Sequence, residues 1–150
     1  MRPIAVGKQA PQIPGVDVAA GPGAIVFYKV TCPVCQMAAP KLAALEGAYP
    51  GHVHAIGQDP NEKLAAFDRE FELGIPSQPD LPPYDVSNAY GVGVVPTVFL
   101  IGPGGTVADV VESWDRDGLN RLSRELAELT GSAYRAISEP GDGLPALRPG

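Results

Sequence analysis

The two cysteines of the chain, Cys32 and Cys35, form a C-x-x-C pair where a hydrophobic segment gives way to a helical pattern. The preceding segment, residues 24–28, is β-branched and aromatic, which indicates a buried strand. After the pair, apolar residues recur at helical spacing as far as Tyr49. A C-x-x-C pair at such a strand-to-helix junction indicates a redox dithiol.

The position of the pair predicts different roles for its two thiols. We expect Cys32 to lie at the N-terminus of the helix, where free N–H groups and the helix dipole favour a thiolate over a thiol. Cys35 follows one turn later on the same side of the helix, close enough to form a disulfide. The pattern therefore predicts that Cys32 is an exposed nucleophile and that Cys35 is a buried resolving thiol, which attacks the mixed disulfide formed by Cys32.

Length, charge and hydropathy restrict the class of protein. The 150 residues are enough for one domain with a core, and the net charge of −6 argues against nucleic acid as the main partner. No apolar run approaches the ~18 residues that a membrane span needs. Residues 1–7 contain no apolar core of a signal peptide. We therefore expect a cytoplasmic protein, or a periplasmic one if an export signal has been removed.

The remaining segments predict an α/β protein with a mixed sheet of four or five strands and helices on both faces. Strands are predicted at 24–30, 52–58, 75–83, 94–101 and 106–111. Helices are predicted at 33–49, 59–74, 84–90 and 115–129. Asp59 is the expected N-cap of the second of these helices.

These elements form one predicted domain over residues 1–131, with its core at about 24–130. In the last segment, residues 140–150, six of the eleven residues are Pro or Gly. Such a composition buries little apolar surface. Residues 132–150 are therefore predicted to form a disordered tail.

The order of these elements, the C-x-x-C pair at the first junction and the sequence Val95-Pro96-Thr97 before the hairpin resemble the thioredoxin fold. Within that fold the chain is most similar to the TlpA/redoxin branch, the AhpC/TSA-like thiol–disulfide oxidoreductases. The resemblance covers about residues 6–130. It includes the proline inside the first helix, Pro40, and the Gly-Pro-Gly-Gly turn of the hairpin.

The resemblance implies a thiol–disulfide oxidoreductase of the protein-disulfide reductase type. The Cys32–Cys35 dithiol would carry the electrons, so neither a cofactor nor a metal is expected. The expected partners are disulfide-containing proteins or small thiols and an upstream thiol reductant, and the chain is expected to act as a monomer. Pro96 would be cis and would face the dithiol, and the backbone of Val95 would pair with a substrate strand.

The residues around the dithiol depart from the thioredoxin pattern. Thr31 stands where many thioredoxins carry Trp, and with Pro33 and Val34 it would form the substrate-binding surface. Val26 stands where thioredoxin has a buried Asp that helps to move the proton of the second cysteine. Lys29 is then the nearest ionisable candidate for this proton transfer. The Pro33-Val34 pair influences the reduction potential, which spans roughly −270 to −120 mV among such proteins.

Two alternative functions use the same cysteines. A peroxiredoxin-like peroxidase would use Cys32 to attack peroxide, but the P-x-x-x-T-x-x-C pattern is missing because Thr31 directly precedes Cys32. A soft-metal chaperone would bind an ion such as Cu(I) through Cys32 and Cys35. It would need a further ligand, from His52 or His54.

Overall fold

A mixed five-stranded sheet forms the centre of the computed structural model, which describes all of residues 1–150. The strands are β1 (Gly23–Tyr28), β2 (Val53–Gly57), β3 (Ser77–Pro79), β4 (Thr97–Ile101) and β5 (Val107–Glu112). Their order in the sheet is β3-β2-β1-β4-β5. Strands β1 to β3 are parallel, whereas β4 and β5 are antiparallel to their neighbours. The predicted α/β class and mixed sheet are confirmed.

Four α-helices and two short 3-10 helices complete the structure, and no helix is long and apolar enough to cross a membrane. The α-helices are α1 (Pro33–Ala48), α2 (Asn61–Phe71), α3 (Asp85–Ala89) and α4 (Arg116–Thr130). A separate two-stranded sheet consists of β6 (Trp114–Asp115) and β7 (Leu147–Arg148). Helix α1 continues through Pro40. This residue is exposed to solvent, and the backbone hydrogen bond that it cannot make does not end the helix.

Strand β1 supplies the core on both sides of the sheet, because successive side chains alternate between its faces. Val26 and Tyr28 belong to the larger hydrophobic cluster, which contains the apolar residues of α1, α2 and α4. Ile25 and Phe27 belong to the second cluster, against which Val86 of α3 packs. Helices therefore lie on both faces, as predicted, and the end of β1 emerges between the two layers.

Residues 132–150, which we call the strap, are ordered, and this corrects the prediction of a disordered tail. The strap runs back along α4, where Arg116, Asn120 and Ser123 form a polar stripe at helical spacing. This stripe donates hydrogen bonds to the strap carbonyls of Leu144, Ser138 and Arg135. The strap has few apolar side chains, of which Ile137 is buried in the larger hydrophobic cluster and Leu144 packs against it. Polar groups of α4 satisfy part of its backbone.

The start of the strap is joined to both α1 and α4 through Tyr49. This residue is 1% exposed, its hydroxyl donates to the Ser123 carbonyl at 2.9 Å, and it accepts from the Arg135 N–H at 3.3 Å. A buried hydrogen bond of this kind is costly to leave unmade, because its partner stays out of water.

We expect Tyr49→Phe to lower the free energy of unfolding by about 1–2 kcal/mol, since the ring stays and only the hydroxyl is lost. Urea denaturation of the purified variant measures this change. Tyr134→Phe is the matched control, because Tyr134 is 38% exposed and donates no hydrogen bond, so its stability should stay within about 0.5 kcal/mol of wild type. Equal stabilities of the two variants would contradict the role of Tyr49.

Candidate active site

Cys32 is the N-cap residue of α1, and its sulfur stands where a Ser or Asp oxygen is usual. Its Sγ accepts a hydrogen bond from the backbone N–H of Cys35 at 3.1 Å. Pro33 occupies the first turn, where its missing N–H is not needed. The free N–H groups and the helix dipole favour negative charge on a half-buried sulfur at this position.

Cys35 lies one turn further into the helix and is only 1% exposed. Burial raises the pKa of the Cys35 thiol, and its side-chain hydrogen bond with Cys32 raises the pKa further. Both cysteines are free thiols in this structure. Cys32 is therefore half-buried at the helix N-terminus rather than fully exposed as predicted, and Cys35 is buried with a raised pKa.

The Val95–Pro96 peptide faces the dithiol across the start of α1. This peptide bond is cis, as the resemblance implied. The Cys32 thiol donates to the carbonyl oxygen of Val95 at 3.4 Å, whereas the N–H of Val95 makes no hydrogen bond to another backbone group. The structure thus places the Val95 backbone beside Cys32, although 63 residues separate them in the chain.

The turn that carries Cys32 is held by two side chains that the sequence analysis did not assign to the site. Asp59 accepts from the Val30 N–H at 2.9 Å, and the amide of Gln36 donates to the Val30 carbonyl at 2.9 Å. Asp59 therefore does not cap α2, which begins at Asn61 without a side-chain cap. The only sequence signal for this role was an acidic residue just after a buried strand.

The residues predicted to form the substrate-binding surface separate into two groups. Thr31 and Pro33 are exposed beside Cys32 and are available for contact with a substrate. Val34 is 6% exposed and packs in the larger hydrophobic cluster. Its side chain therefore stabilises the core rather than facing a substrate, which corrects the predicted position.

Lys29 contacts the dithiol through its backbone and not through its ammonium group. Its carbonyl accepts from the Cys32 N–H at 3.1 Å, and a backbone hydrogen bond from Lys29 lowers the pKa of Cys35 against the stronger effect of burial. The ammonium nitrogen lies 5.9 Å from the ring centroid of Tyr84. The position of this side chain gives no support to the proton-transfer role predicted for it.

The two histidines lie at the opposite end of the sheet from the dithiol. His52 bonds to the Pro22 carbonyl at 2.9 Å and His54 bonds to Gln78 at 2.8 Å. Both line a cavity of about 490 Å³ around the beginning of β1, whereas Cys32 follows its end. No group of three or more His, Cys, Asp or Glu side chains is placed to hold a metal ion. The third ligand that a metal chaperone would need is therefore not beside the cysteines.

Comparison with known protein families identifies the family of the chain. The model of the AhpC/TSA family matches residues 8–110, which include the dithiol and the Val95–Pro96 peptide. The chain belongs to the AhpC/TSA family. No curated protein matches its sequence significantly. The matched region contains the Cys32–Cys35 pair, which lies at the N-terminus of α1.

Solved structures show the same fold at low sequence identity. A Chlorobium tepidum protein provisionally named thiol:disulfide interchange protein DsbE is 19% identical, with a TM-score of 0.72 over 84% of this chain and 98% of that chain. The thioredoxin domain of a Bacteroides vulgatus thiol-disulfide oxidoreductase is 18% identical, with a TM-score of 0.68 over 82% and 99%. A secreted Mycobacterium tuberculosis disulfide oxidoreductase is 22% identical, with a TM-score of 0.55 over 63% and 70%. The predicted thioredoxin-like fold is confirmed.

The two thiols should differ strongly in reactivity. In the reduced, folded protein, iodoacetamide should modify Cys32 and leave Cys35 unmodified between about pH 7 and 9, because the raised pKa of Cys35 leaves it protonated and its burial excludes the reagent. Mass spectrometry of the proteolysed protein identifies the modified residue. As a control, protein unfolded in urea should be modified at both cysteines. Earlier modification of Cys35 in the folded protein would reverse the assignment.

Proposed function

We propose that the chain is a thiol–disulfide oxidoreductase of the protein-disulfide reductase type, acting through the Cys32-Pro33-Val34-Cys35 dithiol. The unequal environment of the two sulfurs carries this proposal. Cys32 combines partial exposure with the amide-lined N-terminus of α1, and Cys35 is buried with a raised pKa. Such a difference is required of a dithiol in which one sulfur attacks and the other resolves.

The reaction proceeds by two exchanges at sulfur. The Cys32 thiolate attacks one sulfur of the substrate disulfide, forms a mixed disulfide and releases the other substrate sulfur as a thiolate. Cys35 then attacks the Cys32 sulfur, which forms the Cys32–Cys35 disulfide and releases the second substrate sulfur as a thiolate, and the proton of Cys35 passes to a released substrate thiolate. The substrate gains two electrons and the protein loses two. Both electrons come from the dithiol, so the step uses no cofactor.

The substrate strand is proposed to lie across Cys32 and to pair with the backbone of Val95. The N–H of Val95 makes no hydrogen bond to a backbone carbonyl of the chain, which leaves it free to donate to a substrate carbonyl. Main-chain pairing of this kind accepts many sequences. The proposed partners are therefore disulfide-containing proteins or small disulfides, together with an upstream thiol reductant that restores the dithiol.

Two serine substitutions separate the roles of the cysteines. Cys32→Ser should reduce the rate of insulin disulfide reduction by dithiothreitol to the uncatalysed rate, because the attacking sulfur is lost. Incubated with insulin in the absence of dithiothreitol, Cys35→Ser should accumulate a mixed disulfide, visible on a non-reducing gel, because the resolving sulfur is lost. Equal unfolding midpoints of both variants and wild type serve as the control for folding. Wild-type activity in Cys32→Ser would refute the proposal.

The peroxidase alternative is tested by peroxide consumption with a thiol donor. We expect a bimolecular rate constant for hydrogen peroxide no greater than that of free cysteine. A much faster reaction that requires Cys32 would replace the proposed function. Equilibration of the dithiol with glutathione measures the reduction potential, and so distinguishes a reductant from an oxidant of other proteins.

A further inference from the structure

The end of the strap lies on the Val95–Pro96 peptide. Gly150 approaches the Val95 carbonyl so closely that a Cβ atom at this position would overlap the carbonyl oxygen. The same oxygen accepts the hydrogen bond from the Cys32 thiol. Gly150 and the proposed nucleophile therefore contact the same carbonyl group, on the surface where a substrate strand would lie.

Three contacts bring the strap to this position. Its strand β7 pairs antiparallel with β6, which precedes α4 directly. The Gly150 N–H then donates to the hydroxyl of Ser113 at 3.0 Å, and the Ser113 N–H donates to the Pro96 carbonyl at 2.7 Å. On the other side, the guanidinium of Arg148 lies 3.9 Å from the sulfur of Met37 in α1. The segment thus bridges the cis peptide and the helix that carries both cysteines.

We propose that residues 147–150 occupy the substrate surface as an internal strand, so that an extended peptide must displace them before its disulfide reaches Cys32. This inference rests on the proposed function and specifies it further, because it distinguishes extended peptide substrates from small disulfides. A peptide strand needs the space beside the Val95 carbonyl that Gly150 occupies. A small disulfide needs access only to the Cys32 sulfur, which stays half-buried in the presence of the strap.

The attachment of this segment is weak enough to open, in contrast to that of the preceding residues. Residues 147–150 are all exposed, and the side chain of Leu147 is 65% exposed. The strap upstream is anchored by Trp114, which donates to the Pro145 carbonyl, and by Arg116, which donates to the Leu144 carbonyl. Segments with few buried contacts open locally without global unfolding. The last four residues can therefore detach while the rest of the strap remains bound.

Two substitutions release the segment in different ways. Gly150→Ala places a methyl group against the Val95 carbonyl and expels the strap sterically. Ser113→Gly removes the hydroxyl that binds Gly150, and it leaves the fold intact because Ser113 has a positive φ of 66°, a conformation that glycine adopts freely. Gly47→Ala is the matched control, because it makes the same chemical change at an exposed position of α1 where a Cβ meets no atom within 4 Å.

The experiment compares two substrates of the reduced protein. One is an extended peptide whose central cysteine carries a glutathione disulfide, and the other is the small reagent 5,5′-dithiobis(2-nitrobenzoate). Both release variants should increase kcat/KM for the peptide at least about fivefold, since an occluded site reacts in proportion to its open fraction. With the small disulfide, the rate of both variants should change less than about twofold. The Gly47→Ala control should match wild type. Unchanged peptide rates, or equal increases with both substrates, would overturn the proposal.

Hydrogen exchange tests the strap without relying on disulfide exchange. A redox-inert peptide, with serine in place of its cysteine, should accelerate exchange of the Leu147, Arg148 and Gly150 amides in wild type when it binds. Bound peptide with unchanged exchange of this segment would overturn the strap proposal even if the protein reduces disulfides. Conversely, faster exchange in a protein that reduces no disulfide would support displacement of the strap and refute the proposed function.

Discussion

The hydrogen bond from the Cys35 N–H to the Cys32 sulfur is the interaction on which the site depends. A helix N-terminus leaves N–H groups without partners inside the helix, and here a sulfur supplies the acceptor that an oxygen commonly supplies. This bond holds Cys32 in an extended conformation outside the first turn. It also sets Cys35 one turn further in, where burial raises the pKa of its thiol. The N-cap position of one sulfur and the burial of the other therefore create the chemical difference between them.

The second half of the site comes from strand pairing. Strand β4 runs antiparallel to β1, and Thr97 pairs with Phe27. This register places the residues just before β4 next to those just after β1. The Val95 carbonyl can then accept the Cys32 thiol. Asp59, which follows β2, reaches the same turn because β2 is the other neighbour of β1. The central position of β1 thus gathers three distant segments around one sulfur.

The strap shows how polar contacts can order a segment that is poor in apolar side chains. Its backbone carbonyls bind the polar stripe of α4, and the Trp114 indole donates to the Pro145 carbonyl. Pro lowers the backbone entropy that such a segment loses on ordering, whereas Gly raises it, and neither residue provides a core. Its order therefore depends on α4 and β6, and its end reaches the site only because β6 lies next to Ser113 and Pro96.

Local sequence patterns determined the order of the elements, the mixed sheet and the position of Cys32 at a helix N-terminus. These features depend on residues close together in the chain, such as the alternation in β1 and the spacing of the two cysteines. Only the tertiary structure decided that Asp59 holds the Val30 turn instead of capping α2, that Val34 is buried, and that residues 132–150 are ordered. Each of these outcomes depends on a partner far away in sequence. Local propensity contains no information about such a partner, so packing settled what spacing could not.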